Sequence, residues 1–137
     1  MIVDSPALIA ILIKEPDYAK IACADLKRMG PPSLLEACIV LNREKGAVGV
    51  RLLREFISES SIQIVPFTEA DAAIAFDAYL RFGKGLGHPA QLNILDGCAY
   101  ALAARSKESL LCQGRDFART DLIPAWQAGS GEAADTC

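Results

Sequence analysis

Apolar residues fall along the chain in short runs of two kinds, strand-like stretches of three or four and longer stretches at helical spacing, and the two alternate. Residues 1–3 read as a short buried strand stopping at Asp4-Ser5-Pro6. Pro6 suits the first turn of a helix, where its missing N–H is no loss, and an apolar helix is expected over 7–14. Glu15-Pro16-Asp17 ends it and caps a second helix over 18–28. Met29-Gly30-Pro31-Pro32 is a strand at best, because two prolines donate nothing to a ladder. A helix over 33–45 stops at Gly46, and an amphipathic one follows over 48–58 with Arg51, Arg54 and Glu55 on its wet side. Residues 62–65 are strand-like, and Thr68-Glu69-Ala70-Asp71 is a capping-box pattern that opens a helix to Arg81. A glycine-rich loop over 82–90 leads to a strongly apolar helix over 92–105. Residues 109–112 form another strand, 113–121 are rich in turns, and 122–126 make a last edge strand.

Strand and helix alternating with few hairpin signals predict βαβ units and a mainly parallel sheet. The expected architecture is a three-layer α/β/α sandwich around about five strands. One domain over 1–126 and a frayed tail over 127–137, where composition turns to Gly, Ala and acid, account for the 137 residues. Composition agrees: 52% of residues are hydrophobic but only 7% aromatic, so Leu, Ile, Val and Ala must build the core. No apolar run approaches the ~18 residues of a membrane span. The opening run lacks a basic flank and carries Asp4, unlike a signal peptide. Five cysteines without metal-ligand spacing fit a reduced, cytoplasmic setting. With a net charge of −3, bulk electrostatics cannot hold nucleic acid, so any phosphate contact needs local positive charge.

In an open parallel sheet, ligands bind beyond the carboxyl ends of the strands. Four acids fall there. Asp4 ends the first strand, and Glu36 lies in the first turn of the helix after the second. Asp96 interrupts the apolar face of LNILDGCAYALA, and Asp116 follows the S-L-L-C strand in the turn GRDF. Carboxylates brought together raise one another's pKa unless a cation neutralises them, and hard oxygen ligands select Mg²⁺ or Mn²⁺. Such an ion lowers the pKa of bound water and stabilises both oxygens of a displacement at phosphorus.

Each acid also has a purely structural use. Asp4 suits a helix N-cap, and Ser33-Leu34-Leu35-Glu36 is a capping-box pattern that occupies Glu36 locally. Asp116 and Asp121 sit in a turn where Asp is common. Asp96 is harder to dismiss among Ile94, Leu95, Cys98, Ala99 and Leu102. His88, the only histidine, precedes Pro89 in the glycine-rich loop and reads as a turn feature. GKGLG lacks the spacing and the trailing Ser/Thr of a P-loop.

Taken in order, MIVDSPALIAIL, PPSLLEACIVL, GKGLGHPAQLNILDGCAYALA and LLCQGRDFARTDL resemble the motifs of the PIN domain, in the form carried by VapC-type toxins of toxin–antitoxin pairs. The resemblance runs from Met1 to about Trp126. It implies a PIN-like fold and a ribonuclease dependent on Mg²⁺ or Mn²⁺, with Asp4, Glu36, Asp96 and Asp116 as the acidic quartet. Ser5 matches the hydroxyl residue after the first acid, Asn93 a polar neighbour of the third, and Asp121 a further supporting acid; Lys84 and Arg115 are weaker candidates for substrate contact. It also implies RNA as substrate, a homodimer, and a small antitoxin partner. Pro6 stands where a small Ser is usual, and Leu95-Asp96-Gly97 replaces a more common Gly-Asp-Cys. Two other readings of the acids stay open: a non-catalytic module binding a protein partner, and a phosphatase or receiver-type domain phosphorylated on Asp4.

Overall fold

Two consecutive β-branched residues, Ile2 and Val3, point to opposite faces of a strand, and both are buried. The computed structural model describes residues 1–14, 28–114, 116–122 and 124–126. Among them, β1 (Ile2–Val3), β2 (Arg28–Met29), β3 (Gln63–Ile64), β4 (Leu110–Leu111) and β5 (Pro124–Trp126) form one sheet in the order β3-β2-β1-β4-β5. Every neighbouring pair is parallel, with Ile2 beside Leu110 and Val3 beside Leu111.

The helices are α1 (Ser5–Ile13), α2 (Pro31–Glu59), α3 (Glu69–Phe82) and α4 (Ile94–Ser106). The strand alternation divides the interior in two. Val3 and Leu111 join a core with Leu8 of α1 and Leu41 and Leu53 of α2. Ile2 and Leu110 join a second core with Ala78 of α3, Leu102 of α4 and Phe117. Helices therefore cover both faces, giving the expected three layers. Each fully buried Leu contributes roughly 1.5–3 kcal/mol.

Local chemistry sets most boundaries. Asp4 caps α1 with Pro6 in its first turn, and Lys14 closes it in the left-handed region at φ 56. α2 begins at Pro31, earlier than the pattern predicts. Pro31 and Pro32 open this helix instead of extending a strand, because the first helical positions need no N–H. The expected stop at Gly46 appears as a kink inside α2, where φ is 65 and ψ −155. A Cβ there would meet nothing within 4 Å, so backbone conformation alone favours glycine.

Thr68 and Asp71 form the expected capping box of α3. The loop after it is closed at its base, where the Lys84 amide donates to Leu92 O at 2.9 Å and the Leu92 amide to Phe82 O at 3.0 Å. Among the described residues no helix is long and apolar enough to cross a membrane. The helix expected over 18–28 falls, except for Arg28 in β2, outside the described residues, as does the tail over 127–137.

β1, β2 and β3 step outward in one direction, and β4 then returns to the other side of β1. That reversal opens a crevice at the carboxyl ends of β1 and β4.

Candidate active site

Asp4 stands at the reversal. Its amide donates to Leu111 O at 3.0 Å, fixing it beside the end of β4, and the residue is only 2% exposed. Its Oδ1 accepts from the Ser5 amide at 2.8 Å and from the Ser33 hydroxyl at 3.1 Å. Burial is the main force pushing this carboxyl up to about 7, and the charges of Asp96 and Glu36 push it further. The two donors oppose that rise. The cap expected of Asp4 is thus real, yet a cap alone does not explain a carboxylate buried among other acids.

Glu36 departs from its expected local role. Because α2 starts at Pro31 with Gly30 as its cap, Ser33 is the third helical residue and Glu36 lies in the second turn. No Ser33–Glu36 capping box forms; Glu36 Oε2 accepts from the Ser5 hydroxyl, while Ser33 turns to Asp4. Two buried serines thus cross-connect α1 and α2, each hydroxyl given to an acid of the site.

Asp96 sits in the first turn of α4, half-buried. Asn93 caps that helix: its Oδ1 accepts from the Asp96 amide at 2.9 Å, and Asp96 Oδ2 accepts from the Asn93 amide at 2.8 Å. Asn93 is thus a positioning partner of Asp96. Burial chiefly, then the charges of Asp116 and Glu36, push the Asp96 carboxyl up to about 6. Asp116 is exposed at the entry of a 3₁₀ turn (Phe117–Arg119) and makes no side-chain cap bond. Beneath the acids lies Cys112, its thiol pushed up to about 12 by burial and by Asp4, Asp96 and Asp116. Four acids that are far apart in sequence are therefore electrostatic neighbours at one end of the sheet.

The other candidates divide. Asp121 is gripped by Arg81 and Tyr100, a partnership the sequence pattern does not reveal. Lys84 is an exposed residue at the base of the glycine-rich loop, and Arg115 lies outside the described residues. His88 accepts from the Ala90 amide through Nδ1 at 3.1 Å, the turn role expected of it. A mostly apolar cavity of about 450 Å³ between α3 and α4, lined by Phe76, Tyr79, Ile94 and Cys98, borders Asn93.

Among the described residues, no three His, Cys, Asp or Glu side chains stand grouped as ion ligands. Asp4 and Asp96 are each turned onto a local backbone donor, and Glu36 onto the Ser5 hydroxyl of α1. The donor chemistry still fits a small hard cation: all oxygen, with two carboxyls whose raised proton affinity comes partly from the charges of the others.

A parallel α/β domain with carboxylates converging on its topological reversal is the class that fold and site define. The PIN domain family model matches residues 1–123. Ribonuclease VapC28 of Mycobacterium tuberculosis is 45% identical over 124 residues, covering 88% of this chain and 93% of its own. Ribonuclease VapC of Mycolicibacterium smegmatis is 39% identical over 126 residues, covering 89% and 97%. The crystal structure of Mycobacterium tuberculosis VapC20, described as a sarcin-ricin loop cleaving toxin, matches with a TM-score of 0.73 over 89% of this chain and 95% of that one. At 12% identity that likeness concerns the fold. The chain belongs to the PIN domain family, among the VapC ribonucleases.

Proposed function

We propose that this chain is a divalent-cation-dependent endoribonuclease, the toxin of a toxin–antitoxin pair, acting in the cytoplasm through Asp4, Glu36, Asp96 and Asp116. One observation carries the site assignment: Asp4 and Asp96 are each raised in part by other members of the quartet, at the carboxyl ends of β1 and β4 where the strand order reverses. Left uncompensated, that cluster repels phosphate as well as itself. Asp4, Asp96 and Asp116 would hold Mg²⁺ or Mn²⁺, with Glu36 binding it or orienting the attacking water. A cation bound there supplies positive charge for a phosphodiester and a more acidic water.

The chain's own residues prepare this chemistry. Ser5 holds Glu36, Ser33 and the Ser5 amide hold Asp4, and Asn93 holds Asp96. Lys84, on the loop whose base adjoins Asn93, offers a charge for RNA beside the cut, and Arg115 is assigned the same part from its place in the sequence. The antitoxin and a second copy of the chain are the proposed protein partners. Exposed apolar side chains on α3 and α4, with Phe76 at 63% and Ile94 at 79%, support a protein contact there.

The test is RNA cleavage by purified protein in Mg²⁺ or Mn²⁺, with and without a chelator, beside Asp4→Asn and Asp96→Asn. Cleavage lost in the chelator and in both variants supports the assignment. Cleavage at the wild-type rate by folded Asp4→Asn refutes it.

A further inference from the structure

Asp121 takes part in a closed ring of polar contacts outside the acid cluster. Its Oδ1 accepts from the Tyr100 hydroxyl at 2.6 Å, and its Oδ2 accepts from Arg81 Nη1 at 2.9 Å. Arg81 Nη2 donates to the Tyr100 oxygen at 2.7 Å, closing the ring. Asp77, one turn earlier on α3, pairs with Arg81 Nε at 3.0 Å, and the guanidinium lies 4.7 Å from the Phe82 ring centre. A surface ion pair alone contributes little. This one encloses the hydroxyl of a tyrosine only 3% exposed, which needs a partner.

The position of the ring in the fold gives it a purpose. Tyr100 follows Asp96 by four residues on α4, so the two share a helix face one turn apart. Asp121 ends the segment that leaves β4 and carries Asp116. Buried Phe117, an Arg119 Nη1 bond to Pro89 O at 2.9 Å and a Thr120 hydroxyl bond to Phe117 O at 2.7 Å fasten the middle of that segment. Asp116 makes no side-chain cap bond of its own, so these neighbouring anchors set where it stands relative to Asp96.

We propose that Arg81, Tyr100 and Asp121 form a clamp that seats the Asp116 segment against α4, making Arg81 and Tyr100 positioning residues of the site. The proposal rests on the reading of Asp116 as a cation-binding carboxylate. Asp121 thereby supports the site as an anchor and not as a ligand.

The test measures Mn²⁺ binding by calorimetry, without RNA, and amide exchange of the segment in the metal-free protein. Tyr100→Phe removes one hydroxyl and keeps the ring that packs near Phe82. It is expected to weaken Mn²⁺ binding about tenfold and to speed exchange at Arg119 and Thr120. Asp121→Asn is expected to match it, and the double variant to be no worse than either. In an Asp116→Asn background, Tyr100→Phe should change Mn²⁺ affinity no further. Wild-type Mn²⁺ affinity in both Tyr100→Phe and Asp121→Asn, beside weakened binding by Asp116→Asn, overturns the clamp and leaves the site reading standing. Wild-type affinity in Asp116→Asn overturns the reading of Asp116 and the clamp with it.

Discussion

Ser33 donates its hydroxyl to Oδ1 of Asp4 at 3.1 Å, joining α2 to the carboxylate that ends β1. Both residues are buried, so water cannot replace the bond. Ser33→Ala is expected to destabilise the protein by about 1–3 kcal/mol where Asp4 is ionised. The bond favours the charged form, so the cost should shrink as pH falls through about 7 and be small at pH 5. Urea unfolding of both proteins at pH 5 and pH 8.5 checks this.

Asp4 also sets a pH dependence. Its carboxyl ionises near 3.8 when unfolded but at about 7 when folded, so the folded state binds the extra proton between these values. Stability from this group therefore falls as pH rises from 3.8 through 7. The interval corresponds to on the order of 4 kcal/mol. Asp4→Asn, which never ionises, should gain stability over wild type above pH 7 and little at pH 4. Equal gains at both pH values in thermal melts would contradict the burial of an ionisable Asp4.

Asp71 should behave oppositely. It is fully buried, and its carboxyl is held below the usual range, burial opposing this and the Thr68 and Arg105 bonds prevailing. Its contribution is present above pH 3.8 and is lost as pH falls through the lower folded value. Asp71→Ala is expected to cost about 2 kcal/mol near neutrality through loss of its bonds to Thr68 and Arg105, and less in strong acid. RNA cleavage per folded molecule should be unchanged. Chemical denaturation at pH 2.5 and pH 7 measures the difference.

Much of this was legible in the sequence because the signals were local. The run ending at Asp4, the Gly46 break and the Thr68–Asp71 box each depend on neighbouring residues, and the structure shows all three. The serine pattern misled because Ser33-Leu34-Leu35-Glu36 satisfies a local motif while tertiary contacts claim both side chains. The prolines before it held the missing clue: as the first two helical residues they move Ser33 to the third position, where it no longer caps. The reciprocal bonding of Asn93 and Asp96 was missed: the resemblance gave Asn93 only as a polar neighbour, although its three-residue spacing from Asp96 is that of a capping box. The ring of Arg81, Tyr100 and Asp121 was not legible, since only the fold brings those residues together.

Cation binding should release protons at mildly acidic pH. Asp4 at about 7 and Asp96 at about 6 are both partly protonated at pH 6.5, and a cation must displace those protons. The calorimetric heat of Mg²⁺ binding should then vary with the ionisation enthalpy of the buffer at pH 6.5. At pH 8.5, where both carboxyls are ionised, it should not.

The most direct measurement is anomalous scattering from crystals grown with Mn²⁺. A peak about 2.1 Å from carboxylate oxygens of Asp4, Asp96 and Asp116 is the result this account predicts. A peak elsewhere, or none at saturating Mn²⁺, would contradict it.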